Sequence, residues 1–237
     1  MNNNAIQGQK ILYKIGGVAA ILQLVSILAY SVILGVLGAK PETGLDYFTA
    51  YEISKVGTFF RGDILMLVLI GLYLGTFPAL YVALRRYSPI YTAMATLFTL
   101  IAVTGVFAVE SSFSLMHLGE RYMSATSEMQ RSELVAAAEA VIASDMWNSS
   151  AAYMGGILLQ GSGVMISVII LRSKDFSKVT AWSGLLGNGF DFIQHVLHIF
   201  LPAVSGVIAM FMGVFYFVWF PMLARDFFRL AKKTEDE

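Results

Sequence analysis

The sequence predicts an all-α polytopic membrane protein: a bundle of six transmembrane helices with both termini on the cytoplasmic side. Three observations carry this: an apolar excess, six segments of spanning length, and the division of basic residues between connections. The chain has 237 residues, of which 57% are hydrophobic and 14% charged, with a mean hydropathy of +0.69. Soluble domains carry charge at about a quarter of their positions, so this composition belongs in a bilayer. The net charge is zero, which gives no field to attract nucleic acid and excludes that class of partner. There is no cysteine, so disulfides, thiolate metal sites and cysteine nucleophiles are excluded.

A bilayer core of about 30 Å needs roughly 20 helical residues. Six segments meet that length, at about 15–37, 56–84, 89–110, 146–171, 179–201 and 204–224, and together they make residues 1–237 one transmembrane domain. The first follows Lys10 and Lys14 and lacks a small-x-small cleavage pattern, so it reads as a retained span rather than a signal peptide. Lys10, Lys14, Arg85, Arg86, Arg172, Lys174, Lys178, Arg225, Arg229, Lys232 and Lys233 fall on one side. Only Lys40, Lys55, Arg61, Arg121 and Arg131 remain for the other. The positive-inside rule then puts both termini in the cytoplasm, and the plasma membrane is the expected location.

The second and fourth connections of this scheme are short and basic, whereas two of the outer ones are longer. Within 119–145, Ser127-Glu-Met-Gln130 has the capping-box spacing, and Leu134, Ala138 and Val141 recur at helical intervals. An outer-side amphipathic helix at about 127–143 follows. Gly71-x3-Gly75 and the glycines of the fourth and fifth segments permit close helix contact. Pro78 and Pro221 each remove a helical donor and are expected to kink the second and sixth spans.

Candidate functional residues stand out as polar groups in apolar surroundings. Asp191, His195 and His198 recur at i, i+4 and i+7, which is one face of a helix. Counting about 1.5 Å per residue from Lys178 puts Asp191 in the outer half of the core, roughly 20 Å up. The same count puts Arg61, Asp63, Glu110 and Asn148 near the outer boundary, with Gln160 deeper. Ionisable groups inside a bilayer usually face a bundle interior or a water-filled cavity, so Asp191, Glu110, Asp63, Arg61, Asn148 and Gln160 are candidates for ligand binding or coupling. His195, His198 and Glu110 could together make a metal site suited to Zn²⁺, with Asp191 orienting an imidazole. The competing structural reading leaves both histidines hydrated at the headgroup level and gives Asp191 a partner such as Gln160, a serine or Arg61. Haem is disfavoured, because no second span offers a histidine at matching depth.

Phe60-Arg61-Gly62-Asp63, Tyr73, the Tyr81 to Arg85 exit, Glu110, and Asn148 ahead of a glycine-rich segment ending in Arg172-Ser-Lys resemble a prokaryotic family of six-helix membrane proteins catalogued as a domain of unknown function. That resemblance implies the architecture and the polar positions Arg61, Asp63, Glu110 and Asn148, and no activity. A fainter similarity, in Ser114, His117, Asp191, His195 and His198, is to the superfamily of alkaline ceramidases and adiponectin receptors. It implies a zinc-dependent hydrolase, although this chain has His-x2-His where that superfamily has His-x3-His, and six spans where it has seven. The leading expectation is a protein that binds or moves a small or amphiphilic ligand through an outer-half polar cavity, with Asp191 as coupling group. The alternatives are a metal-dependent intramembrane hydrolase of a lipid amide or ester, and a scaffold or regulatory subunit. Enzymatic activity and oligomeric state are not legible in the sequence.

Overall fold

The computed structural model describes residues 3–236, and every regular element in them is helical. In chain order they are α1 (Asn3–Leu37), α2 (Gly44–Ile53), α3 (Lys55–Arg61), α4 (Ile64–Gly71), α5 (Tyr73–Leu84), α6 (Pro89–Val109), α7 (Ser112–Ser124), α8 (Glu128–Ala143), α9 (Ser150–Arg172), α10 (Lys178–Leu197) and α11 (Pro202–Asp236). Five stretches of the described residues are long and apolar enough to cross a membrane: Ile6–Leu37, Ile64–Leu84, Pro89–Ser124, Ser150–Arg172 and Pro202–Thr234. This is a multi-pass membrane protein. The segment expected as the fifth of six spans forms α10, which is not among those five.

Two helices expected to be continuous are interrupted. The segment expected at 56–84 is α3, α4 and α5. Its first break falls where Gly62 caps α3, donating to Thr58 O, and Asp63 starts the next turn by accepting from Leu67 N. The second break is at Leu72, between two glycines of low helix propensity and six residues ahead of Pro78. Pro78 and Pro221 themselves lie inside α5 and α11. At α8 the Ser127 hydroxyl caps by accepting from Gln130 N. The reciprocal arm reaches one residue further back than the capping box predicts: Gln130 Oε1 accepts from Thr126 N.

The chain divides into two compact units. The first comprises Met1–Val25, Gly71–Thr104 and Met154–Glu237. Its core is large and aromatic, with Phe77, Trp219, Phe220 and Phe227 almost fully buried among Leu80, Leu84, Ile166 and Ile170. Small residues set the approach of its helices, since a Cβ on Gly16 would lie 2.6 Å from Ala79 Cβ. The second unit comprises Ser26–Ile70 and Gly105–Tyr153. There α2, α7 and α8 pack Tyr47, Phe48, Tyr51, Leu115, Leu134 and Ala138 into one cluster, with Phe48 stacked on Tyr122 at 4.3 Å. Burial raises the Tyr47 hydroxyl pKa well above its ordinary value, with Tyr51 and Glu110 adding to the effect.

Within the first unit, α10 is amphipathic in the sense opposite to a soluble helix. Thr180, Ser183, Gly184, Gly187, Asn188 and Asp191 are buried, while Val179, Trp182, Leu186 and Ile193 are exposed. Much of its polar face finds partners inside the protein. Thr180 Oγ1 donates to Asp226 at 2.6 Å, and Asn188 Nδ2 donates to Gly184 O. Its apolar face is left for an apolar surrounding.

Candidate functional site

The centre lies in the first unit, where α9, α10 and α11 each bring one polar side chain to the same point. Asp191, on the buried face of α10, is 5% exposed. Its Oδ2 accepts from the Tyr216 hydroxyl of α11 at 2.8 Å, and that hydroxyl lies 3.0 Å from Gln160 Oε1 of α9. Tyr216 is held in turn by stacking on Phe220, with ring centroids 5.5 Å apart. One helical turn beyond Asp191, His195 Nδ1 is 3.0 Å from the Asp191 backbone oxygen and 3.0 Å from Asp191 Oδ1. Both neighbours are acceptors, so Nδ1 carries the proton. Its N–H aims at the backbone oxygen, and Oδ1, although in contact, is left without a hydrogen bond.

The proton count in this centre does not close in a single way. A tyrosine hydroxyl donates once, yet Tyr216 touches two acceptor oxygens. With Asp191 ionised, Tyr216 donates to it, and Gln160 must turn its amide so that Nε2 donates to the phenolic oxygen. With Asp191 protonated, the carboxyl donates to Tyr216, which then donates to Gln160 Oε1. Each arrangement satisfies the hydroxyl, and they differ by one proton on Asp191. Gly156 of α9 makes room for the imidazole, because a Cβ there would overlap the His195 ring.

The second unit holds a different cluster. Lys40 Nζ lies 2.5 Å from Asp63 Oδ2 and 3.2 Å from Asp145 Oδ2. Asp63 Oδ1 accepts from Trp147 Nε1 at 2.8 Å. Asp145 Oδ1 accepts from Trp147 N, Asn148 N and Asn148 Nδ2. The two carboxylates are 2% and 1% exposed, and each of their oxygens has a donor. Burial alone would lower the Lys40 pKa; Asp63 and then Asp145 outweigh it and hold that pKa above the ordinary lysine value. The adjoining cavity of about 10 Å³, lined by Lys40, Tyr47, Asp63, Ser111 and Ser112 among others, has room for about one water.

The sequence-predicted residues therefore separate. Asp191 and Gln160 meet through Tyr216. Asp63 and Asn148 belong to the Lys40 cluster, and Arg61 donates to Ala39 O. Glu110 turns back onto its own chain, Oε1 accepting from Ser112 N at 2.7 Å where α7 begins. His198 caps the C-terminus of α10 and is exposed, as are Ser114 and His117 on α7. Among the described residues no three His, Asp, Glu or Cys side chains are placed to hold a metal ion. The zinc site expected from His195, His198 and Glu110 is corrected accordingly: Glu110 is taken up by Ser112 N, the His195 Nδ1 is turned to Asp191, and His198 is exposed at the end of α10. Sequence reasoning missed Lys40, Asp145, Trp147 and Tyr216.

Fold and centre together define a multi-pass, all-helical membrane protein with a buried polar centre. The chain belongs to the family described as Domain of unknown function (DUF4386), whose model matches residues 15–223 and so covers all the candidate residues. No curated protein and no solved structure matches it.

Proposed function

We propose that the chain is one transmembrane domain of six spans in the plasma membrane, with both termini cytoplasmic and the helix at 127–143 on the outer side. In this reading it binds or moves a small or amphiphilic ligand, with protonation of Asp191 as the coupled event. Support for the sixth crossing comes from a single cavity lined by Ile6, Arg85, Arg86, Asp175 and Lys233. The N-terminal stretch, the α5–α6 and α9–α10 connections and the C-terminal stretch thus share one end of the first unit. A chain that leaves that end after Asp175 and returns along α11 must cross in between, and α10 is the helix available. Twenty residues at about 1.5 Å each match the bilayer core, and the exposed side of α10 is apolar.

The observation that carries the functional reading is the Tyr216 hydroxyl set between Asp191 Oδ2 and Gln160 Oε1, which two hydrogen-bond arrangements differing by one proton can satisfy. A carboxylate in a membrane interior without a full-time cation is costly, which marks Asp191 as a candidate for function rather than packing. His195, half-buried beside it, offers a route for that proton. Arg61, Asp63, Glu110 and Asn148 have structural partners, which narrows the proposed binding or coupling set to Asp191 and Gln160, joined by Tyr216 and His195.

The test is a thermal-stability screen of the purified protein against alkyl amines, fatty acids and small organic cations, at about pH 5 and about pH 8. A ligand whose effect differs between the two pH values in the wild type, and which Asp191→Asn no longer distinguishes, is the expected result. Binding that is indifferent to both pH and Asp191→Asn would contradict the reading.

A further inference from the structure

We infer that the basic end of the first unit carries a site for a phosphate-bearing anion, the headgroup of an anionic phospholipid or a soluble phosphate of the same chemistry. The site is a cavity of about 460 Å³, within the range of about 300–1,000 Å³ usual for small-molecule pockets. Its walls are ends of candidate spans: Ile6–Leu37 starts there, and Ile64–Leu84 and Pro202–Thr234 finish there. That places the mouth where an apolar stretch gives way to charge, at the level of lipid headgroups.

Arg85, Arg86 and Lys233 line it, and Asp175 is the one carboxylate among its described lining residues. Asp175 is already engaged: its carboxylate pairs with Arg86, and its backbone oxygen accepts from Arg229. The Arg85 guanidinium has no hydrogen-bond or ion-pair partner among the described residues, although it sits on the wall of a concave site. Helix C-termini attract basic side chains, which accounts for arginines at the end of α5. It does not account for the concave volume they line together with Tyr13, Ala83 and Leu230. Basic side chains gathered where apolar spans end match a phosphate attached to an apolar body.

The experiment uses the full chain in neutral detergent, read by native mass spectrometry and thermal unfolding, with phosphatidylglycerol, phosphatidylcholine or inorganic phosphate added. Phosphatidylglycerol is expected to be retained and to stabilise in preference to phosphatidylcholine. Arg85→Gln should weaken that retention about fivefold, and Lys233→Gln should weaken it too. Lys174→Gln, which removes an exposed charge that does not line the cavity, should leave it unchanged. Protection by inorganic phosphate equal to that by phosphatidylglycerol would assign the site to a soluble phosphate, and protection by the lipid alone would assign it to the headgroup. Equal retention of the two lipids, or an equal loss in Lys174→Gln and Arg85→Gln, would overturn the proposal, the second by showing only diffuse surface charge. None of these results depends on the protonation of Asp191.

Discussion

The two buried carboxylate clusters solve the same problem in opposite ways. In the second unit Asp63 and Asp145 share the Lys40 ammonium and accept further donors from Trp147 and Asn148, so no carboxylate oxygen lacks a donor. In the first unit Asp191 has a phenol and an imidazole nearby and one oxygen without a hydrogen bond. A saturated cluster fixes structure. An unsaturated one, in which two hydrogen-bond arrangements compete, is where the proposed change of charge state would fall.

That contrast is breakable, and the largest effect belongs to the saturated cluster. Lys40→Met strands two buried carboxylates side by side and should cost about 3–5 kcal/mol, measured by unfolding in detergent. If it costs less than about 1 kcal/mol, the cluster is not what holds 39–63 and 145–148 in place. Trp147→Phe keeps the aromatic ring but removes one donor to Asp63 Oδ1; an expected loss of about 1.5–3 kcal/mol reflects a hydrogen bond to a charged acceptor. In the first unit, Gly156→Ala should cost about 1–3 kcal/mol by driving a methyl into the His195 ring. Asp191→Asn should stay within about 1 kcal/mol of wild type, because Tyr216 can still donate to the amide oxygen. The ordering matters more than any one value: a carboxylate that can be neutralised cheaply is the one available for coupling.

A pH series sharpens the same comparison. The folded pKa of Lys40 is raised, so its contribution is complete below the ordinary lysine pKa and is lost as pH rises past it through the higher folded value. The stability difference between wild type and Lys40→Met should therefore hold steady across neutral pH and shrink only in strong alkali. A difference that collapsed near neutrality would mean that the ammonium is not shielded by its two carboxylates.

Much of this fold could be read from residue patterns, and the failures have identifiable causes. Segments of spanning length were legible because hydropathy registers a long apolar run. The breaks at Gly62–Asp63 and Leu72 were not, because a hydropathy window passes over a single glycine or a one-residue gap. Asp191 was legible as a carboxylate in an apolar setting. Its partner Tyr216 was not, because it sits in a run with Phe215, Phe217, Trp219 and Phe220 that reads as packing. The usable signal was chemical: a buried carboxylate needs a donor, and Tyr216 is the one hydroxyl in that run. Lys40 and Asp145 were hidden for another reason, lying in connections whose long-range pairing no local pattern encodes. The pairing of Glu110 with His195 and His198 failed because a count of height along a helix says nothing of where a side chain turns, and the Glu110 carboxylate turns back to Ser112 N.

The central proposal is that Asp191 changes protonation in the folded protein. Its most direct test is an infrared pH titration of the purified protein in the region of the protonated carboxyl stretch, wild type against Asp191→Asn. The account predicts a reversible carboxyl band in the wild type that Asp191→Asn removes while Asp63→Asn leaves it in place. Superimposable titrations of wild type and Asp191→Asn would contradict it.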